Sequence, residues 1–486
     1  MAAEQSAHRD WILLATERLI GSTLPGGTTV PRYMVDTLRL VKPASLDRFA
    51  FSPAERQSIS AAMIMAQVRA NDQVAIQELA DAVRASRLSA APAATDSVPG
   101  FLALEAALSE AALAGGLSTV ALEHGVRLSD YAAAHGDPLW IQRTHGLLAA
   151  AAAFGGEHQA AEDHLTAMRE LAREQGWDTG RAEYMEAIAE SLIAFTRSDQ
   201  ARMDRLLPRV EALRDSDAGA GSLVDMVATL GHILHGRLHE AMTQASLLSM
   251  GKSRPFTPHL LRDYAVSIQA FLLILRGDPL RAQGVLRGLD SSENHFLCTG
   301  TLRASAALQL QDYRGVLSGT SDCLRLRTTH NLWTLPQVLL RRAIANLRLG
   351  NTQTGLHEFG DAIHLLRLSA SGPALLTTPV DELEFLLTQV EQQAPWLADD
   401  AVLLRRQARD VLQTATPALV LPTLSERERL VATLLRSDST LPRIARELHV
   451  APSTIKSQAI AIYRKLQVNS RQEAVELLER GGFFES

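Results

Sequence analysis

The sequence predicts an all-α protein, an α-solenoid of stacked helix pairs followed by a separate four-helix module at the C-terminus. Three observations lead there. Ala and Leu dominate before residue 414, β-branched runs are scarce, and no stretch alternates apolar with polar as a half-buried strand does. Short breaks recur at Gly116, Gly156, Arg197, Gly236, Gly277, Gln311 and Gly350, with gaps of 40, 41, 39, 41, 34 and 39 residues. The charge then changes sign near the end. Residues 422–486 hold ten Lys plus Arg against eight Asp plus Glu, a balance of +2 in a chain of net charge −6, so the other 421 residues carry −8. A small basic module on an acidic body suits an anionic partner at the tail alone.

Residues 1–100 read as an N-terminal helical region capping the stack. They contain the loop "TLPGGTTVPR", an earlier helical pair in "AQVRANDQVAIQELADAVRAS" and a linker, "SAAPAATDSVPG" at 89–100. Glu4, Asp10 and Glu17 interrupt the apolar pattern of the first helix, whereas a secretory signal needs a basic start and an unbroken apolar core. No segment approaches the ~18 continuous apolar residues of a membrane span, so the expected location is the cytoplasm.

Residues 101–413 are the stack itself. Amphipathic helices such as "EHQAAEDHLTAM", "RLHEAMTQASLL" and "DPLRAQGVLRGL" follow the breaks, and longer helices such as "LLRDYAVSIQAFLLILRG" precede them. Gly at a break supplies the left-handed cap that ends the first helix of a pair. Ala161, Ala241 and Ala282 each fall five residues after such a Gly, where a small side chain lets two helices cross closely. Two helices per unit of about 40 residues is the signature of an α-solenoid. These residues resemble degenerate tetratricopeptide repeats. Residues 414–422, punctuated by Pro417 and Pro422, form a linker to the module at 423–486.

Nothing in the stack reads as catalytic, cofactor-binding or metal-binding. Gly251-Lys252-Ser253 matches the end of a phosphate loop, but position 246 is Ser where that loop needs Gly, and a helix precedes it rather than a strand. His232, His235 and His239 lie close together, yet Gly236 breaks the helix between them and no carboxylate or Cys completes a set. Cys298 and Cys323 provide neither a disulfide framework nor zinc spacing, and read as small buried hydrophobes. No nucleophile–base motif is found, and the chain is expected not to be an enzyme.

The tail carries the clearest signal. Ser425 and Glu428 form a capping box, and Leu430, Val431, Leu434 and Leu435 make an apolar stripe on the first helix. Ile444, Ala445 and Leu448 give the second helix a buried face, and "APS" turns the chain into a third, with Pro452 at its first position. At 100° per residue, Ile455, Ala459, Ile462 and Leu466 share one face. Ser453, Ser457, Ile460, Ala461 and Arg464 lie opposite, with Lys456 on one flank and Thr454, Gln458 and Lys465 on the other. Small and polar residues beside cations suit close approach to a DNA groove. "SRQEAVELLERGG" adds a fourth amphipathic helix with Val475 and Leu478 on one face.

These residues resemble the LuxR-type helix-turn-helix family. The match runs through Leu424-Ser425, Arg427-Glu428, Ile444-Ala445, Leu448, Thr454-Ile455-Lys456, Ile462-Tyr463, Lys465-Leu466, Val468, Arg471 and Glu473-Ala474-Val475. The resemblance implies a four-helix domain whose third helix enters the major groove and whose fourth pairs two copies. It implies that Lys456, Ser457 and Ile460 face base edges and that Thr454, Gln458 and Lys465 approach phosphates. Arg464 is added from the helical wheel. Asp438, Leu441, Arg443, Ala451, Gln458 and Gln467 depart from the family's usual Gly, Asn, Glu, Ser, His and Gly, so sequence preference is not inherited.

The arm resembles the superhelical arm of large maltose-regulator-like activators, without their ATPase. The implied protein is a transcriptional regulator that binds double-stranded DNA as a homodimer and takes a protein or small-molecule effector at its arm. The competing reading is an interaction scaffold whose degraded helix-turn-helix no longer binds DNA specifically.

Overall fold

In the computed structural model the described residues are 2–24, 27, 30–70, 72–85, 98–178, 182–214, 220–251, 259–289, 297–367, 375–414, 424–437, 439–466, 468, 470–480 and 483–485. Among them every regular element is helical. Lys252, Ser253, Asp438, Gln467, most of the 89–100 linker and nearly all of the 414–422 linker lie outside the described residues.

From residue 98 the helices come in pairs: Val98–Ala114 with Ser118–His135, Pro138–Gly155 with His158–Gln175, Tyr184–Thr196 with Gln200–Glu211, and Ala220–Leu234 with Leu238–Ser249. Four more follow: His259–Leu275 with Pro279–Leu286, Thr299–Gln309 with Tyr313–Gly319, Leu335–Arg348 with Thr352–Leu366, and Val380–Gln393 with Ala398–Thr414. The two helices of each pair pack together, and the first helix of each pair packs on the first helix of the next. Helix Pro53–Ala70 pairs with Gln73–Ala85 and also packs on Val98–Ala114, so this order of contacts extends upstream of residue 98. Helices Ala2–Gly21 and Arg32–Leu40 cover Pro53–Ala70.

The expected breaks coincide with left-handed backbone. Gly116, Gly156, Gly236, Gly277 and Gly350 have φ of 74°, 84°, 71°, 69° and 82°. Gln311 adopts 57°, and at the Arg197 break the left-handed residue is its neighbour Ser198, at 55°. Ala161, Ala241 and Ala282 are completely buried, as a close helix crossing requires.

A long-range contact joins two distant parts of the stack. The Leu332 amide donates to the Gly155 carbonyl at 2.7 Å, docking the loop before Leu335–Arg348 onto the end of Pro138–Gly155. Gly156 is required there twice over. Its φ is left-handed, and a Cβ would lie 2.7 Å from the Trp333 nitrogen.

The tail has its own core. Leu424, Val431, Leu435, Ile444, Ile455, Ile462, Leu466, Ala474 and Leu478 are buried together.

Candidate nucleic-acid interface

The tail's helices are Glu426–Leu435, Leu441–Glu447, Pro452–Leu466 and Arg471–Arg480. The first opens with the capping box. The Glu428 amide donates to Ser425 Oγ at 3.3 Å, and the Ser425 amide donates to Glu428 Oε2 at 2.7 Å. The same carboxylate accepts the Lys465 ammonium at 2.6 Å, tying the third helix to the first. Burial pushes the Glu428 carboxyl up, but Lys465 and the Ser425 amide and hydroxyl outweigh it and hold the carboxyl below its ordinary value. A depressed folded-state pKa adds stability above the unfolded value, and that stability is lost as pH falls through the folded one. Glu428→Gln should therefore loosen the tail near neutrality. Its deficit in amide hydrogen-exchange protection should shrink as the pH drops below about 4.5, the ordinary range of a glutamate.

The second helix starts at Thr440, whose side chain makes no cap hydrogen bond, and relies on Pro442 near its first position. It ends in a Schellman turn: the Val450 amide donates to Ala445 at 2.9 Å and the His449 amide to Arg446 at 3.2 Å. The turn puts His449 at φ 53°. A left-handed residue with a Cβ is strained by about 1–2 kcal/mol, partly offset by the extra chain entropy of glycine. His449→Gly should stabilise the tail by about 0.5–1 kcal/mol, read as slower exchange of its buried amides.

Arg471 reaches back from the fourth helix. Its guanidinium donates to the carbonyls of Leu435 at 2.8 Å, Ser439 at 2.7 Å and Ser437. It thereby fixes the path from the first helix to the second. The fourth helix also contributes Glu479, which meets Arg436 at 3.1 Å.

Ile455, Ala459, Ile462 and Leu466 of the third helix face the core. Thr454, Lys456, Ser457, Ile460, Arg464 and Lys465 are exposed, and Gln458 is half-buried. Ile460 is 56% exposed, a large apolar side chain that the tail's own packing leaves uncovered. Ser457 Oγ donates to the Ser453 carbonyl at 2.9 Å, leaving its lone pairs outward. Among the described residues no ion pair engages Lys456 or Arg464, whereas Lys465 is committed to Glu428. Sequence reasoning saw the capping box and the cation but not their joining, because the partners are 37 residues apart.

A short helix, a tight left-handed turn and a longer helix with an open cationic face, clasped by helices on either side, constitute a helix-turn-helix domain. Residues 422–478 match the family described as bacterial regulatory proteins, luxR family, and the tail is a helix-turn-helix domain of that family. Two relatives, each named "Probable transcriptional regulatory protein NarL" and from two strains of Mycobacterium tuberculosis, are 44% identical to this chain over 68 residues. That match covers 14% of this chain and 31% of each relative.

The arm lines an open cavity of about 1340 Å³, larger than the roughly 300–1,000 Å³ of ordinary ligand sites. Phe154, Met185, Leu230, Tyr264, Phe271 and Leu302 supply apolar wall. Three polar groups on that wall, at Gln142, Arg143 and Ser267, are 5%, 4% and 7% exposed. Gln142 Oε1, Arg143 Nε and Ser267 Oγ make no hydrogen bond within the described structure. Burial, opposed by Glu183 and aided by Arg69, lowers Arg143 to about 10. Its guanidinium is ion-paired with Glu110.

The His232 group does not converge. His235 Nε2 meets Asp204 Oδ1 at 2.7 Å, and His239 Nε2 lies 3.4 Å from Thr243 Oγ1. Among the described residues no helix is long and apolar enough to cross a membrane.

Proposed function

We propose that the protein is a DNA-binding transcriptional regulator that acts by binding rather than by catalysis. The observation carrying this reading is the outer face of Pro452–Leu466, where Lys456, Arg464 and Ile460 project with no described partner in the chain's own packing. Small side chains at Ser453, Ser457 and Ala461 let the helix backbone approach a groove. Lys456 and Ser457 read base edges and Ile460 packs on a thymine methyl, while Thr454, Gln458 and Arg464 position the helix on phosphates. Lys465 contributes less to DNA than its flank position implies, since it braces the first helix through Glu428. Two copies bind together on a partly palindromic site in the cytoplasm.

The arm senses an effector, and the cavity favours a small molecule over a peptide. A molecule with an apolar body and a few hydrogen-bonding groups would satisfy Gln142, Ser267 and Arg143, whose polar atoms are otherwise buried at a cost. Control of DNA binding then requires the effector to prefer one state of the protein over the other.

The test uses 1-anilinonaphthalene-8-sulfonate, which carries an apolar body and an anionic head. Its fluorescence should rise saturably with the full-length protein and fall in Ser267→Trp, which fills the cavity wall. DNA affinity measured with the dye saturating should then shift. A saturated arm with unchanged DNA affinity would contradict the coupling.

A further inference from the structure

Cys298, Cys323 and His330 come from three successive segments between residues 298 and 330 and meet in the arm. Cys298 is the N-cap of Thr299–Gln309, Cys323 belongs to the short helix Ser321–Arg325, and His330 lies in the loop docked on Gly155. Their exposures are 4%, 1% and 4%. The two sulfurs are 3.6 Å apart, and the three donor atoms lie within 4.8 Å of one another. We propose that these residues form a buried site for a soft monovalent metal ion, Cu(I), held by two thiolates and one imidazole.

Geometry supports the assignment. Two sulfurs each about 2.3 Å from one ion sit nearly 4 Å apart, close to the observed separation, whereas a disulfide needs about 2.05 Å. The ring is already set for ligation. His330 Nδ1 lies 3.0 Å from the Asn331 carbonyl, so that nitrogen carries the proton and Nε2 presents a lone pair. Asn331 is itself held, accepting from the Thr334 amide at 2.9 Å and the Thr334 hydroxyl at 2.6 Å. Metal-bound histidines are commonly oriented by such an outer hydrogen bond.

Charge selects the ion. The hydrogen-bonded neighbour Cys298 and burial push the Cys323 thiol up. Binding releases one proton from each thiol and forms two metal–sulfur bonds and one metal–nitrogen bond, with no electron transferred. Cu(I) with two thiolates and a neutral imidazole carries −1. The Arg341 guanidinium, 1% exposed, interacts with Cys298 and is held in place by hydrogen bonds to Thr301 Oγ1 at 3.1 Å, the Gln337 carbonyl at 3.0 Å and Thr377 Oγ1 at 2.6 Å. A cation beside the site favours the anionic complex of Cu(I) over the neutral one of Zn(II), and a tetrahedral divalent ion would also require a fourth donor. Cys298 lies on the cavity wall, so occupancy would stiffen the contact that closes the arm.

This proposal stands apart from the DNA reading. Its test is anaerobic titration of the full-length, chemically reduced protein with Cu(I) against bathocuproine disulfonate, and separately with Zn(II) against a chromogenic chelator. The wild type should withdraw one equivalent of Cu(I), the Cys298→Ser/Cys323→Ser protein none, and His330→Gln should bind at least tenfold more weakly. If the variants fail to fold, X-ray absorption of the copper-loaded wild type should show two sulfurs and one nitrogen. Equal Cu(I) uptake by wild type and double variant, uptake of Zn(II) without Cu(I), or a copper shell lacking two sulfurs would overturn it.

Discussion

Lys456→Ala combined with Arg464→Ala should weaken specific DNA binding by at least tenfold and leave folding intact. Both side chains are exposed, neither has a described ion pair, and alanine is the best helix former, so the substitution removes nothing that holds the domain. A lost base-edge contact at Lys456 costs about 1–3 kcal/mol, roughly fivefold to more than a hundredfold. On the proposed reading the loss at Arg464 falls on phosphate and acts on every sequence alike. The two effects separate in a salt titration. Arg464→Ala alone should reduce the slope of log affinity against log salt by about 0.9, while Lys456→Ala should chiefly narrow the gap between specific and non-specific DNA. Unchanged affinity in the double variant, with native circular dichroism, would favour the scaffold.

Arg471→Ala should unfold much of the tail although Arg471 lies outside the third helix. Three backbone carbonyls, at Leu435, Ser437 and Ser439, converge on this one guanidinium. Hydrogen bonds to a charged group contribute about 1.5–3 kcal/mol each, but solvent can replace those at the exposed edge. A net loss of about 2–3 kcal/mol is expected. A domain of this size has only about 3–10 kcal/mol in total, so the variant should lose exchange protection throughout residues 424–480 and lose DNA binding with it. Arg471→Lys should recover only part, because one ammonium cannot span three carbonyls in a fixed fork. If Arg471→Ala kept wild-type exchange in the tail, the clasp would carry no weight.

The parts of this molecule that were legible in its sequence are those set by local spacing. The buried stripe Ile455, Ala459, Ile462 and Leu466 follows from a 3.6-residue period, and the structure buries those four residues of the helix. The breaks at Gly116 through Gly350 were legible because a left-handed helix end selects glycine, and Gln311 stood out only through its place in the period. At Arg197 the period was right, but the left-handed residue is Ser198.

What was hidden depends on partners far along the chain. Arg471 is part of the family resemblance, yet its carbonyl partners lie 32–36 residues away and leave no pattern. Lys465 sits on a flank of the outer face of the wheel, and only the fold shows Glu428 taking its charge. The cavity is lined by residues from Ser22 to Thr377, a span that no window of sequence contains. Cys298 and Cys323, 25 residues apart, read as core hydrophobes, and both are buried. Their meeting with His330 depends on how the helices between residues 298 and 330 fold back on one another.

The most direct measurement is selection of genomic DNA fragments by the purified full-length protein at near-physiological salt. Enrichment of fragments sharing a partly palindromic site is expected, bound by two copies and lost from the pool selected by the Lys456→Ala/Arg464→Ala protein. Recovery of fragments that share no sequence, in equal yield with wild type and variant, would contradict it.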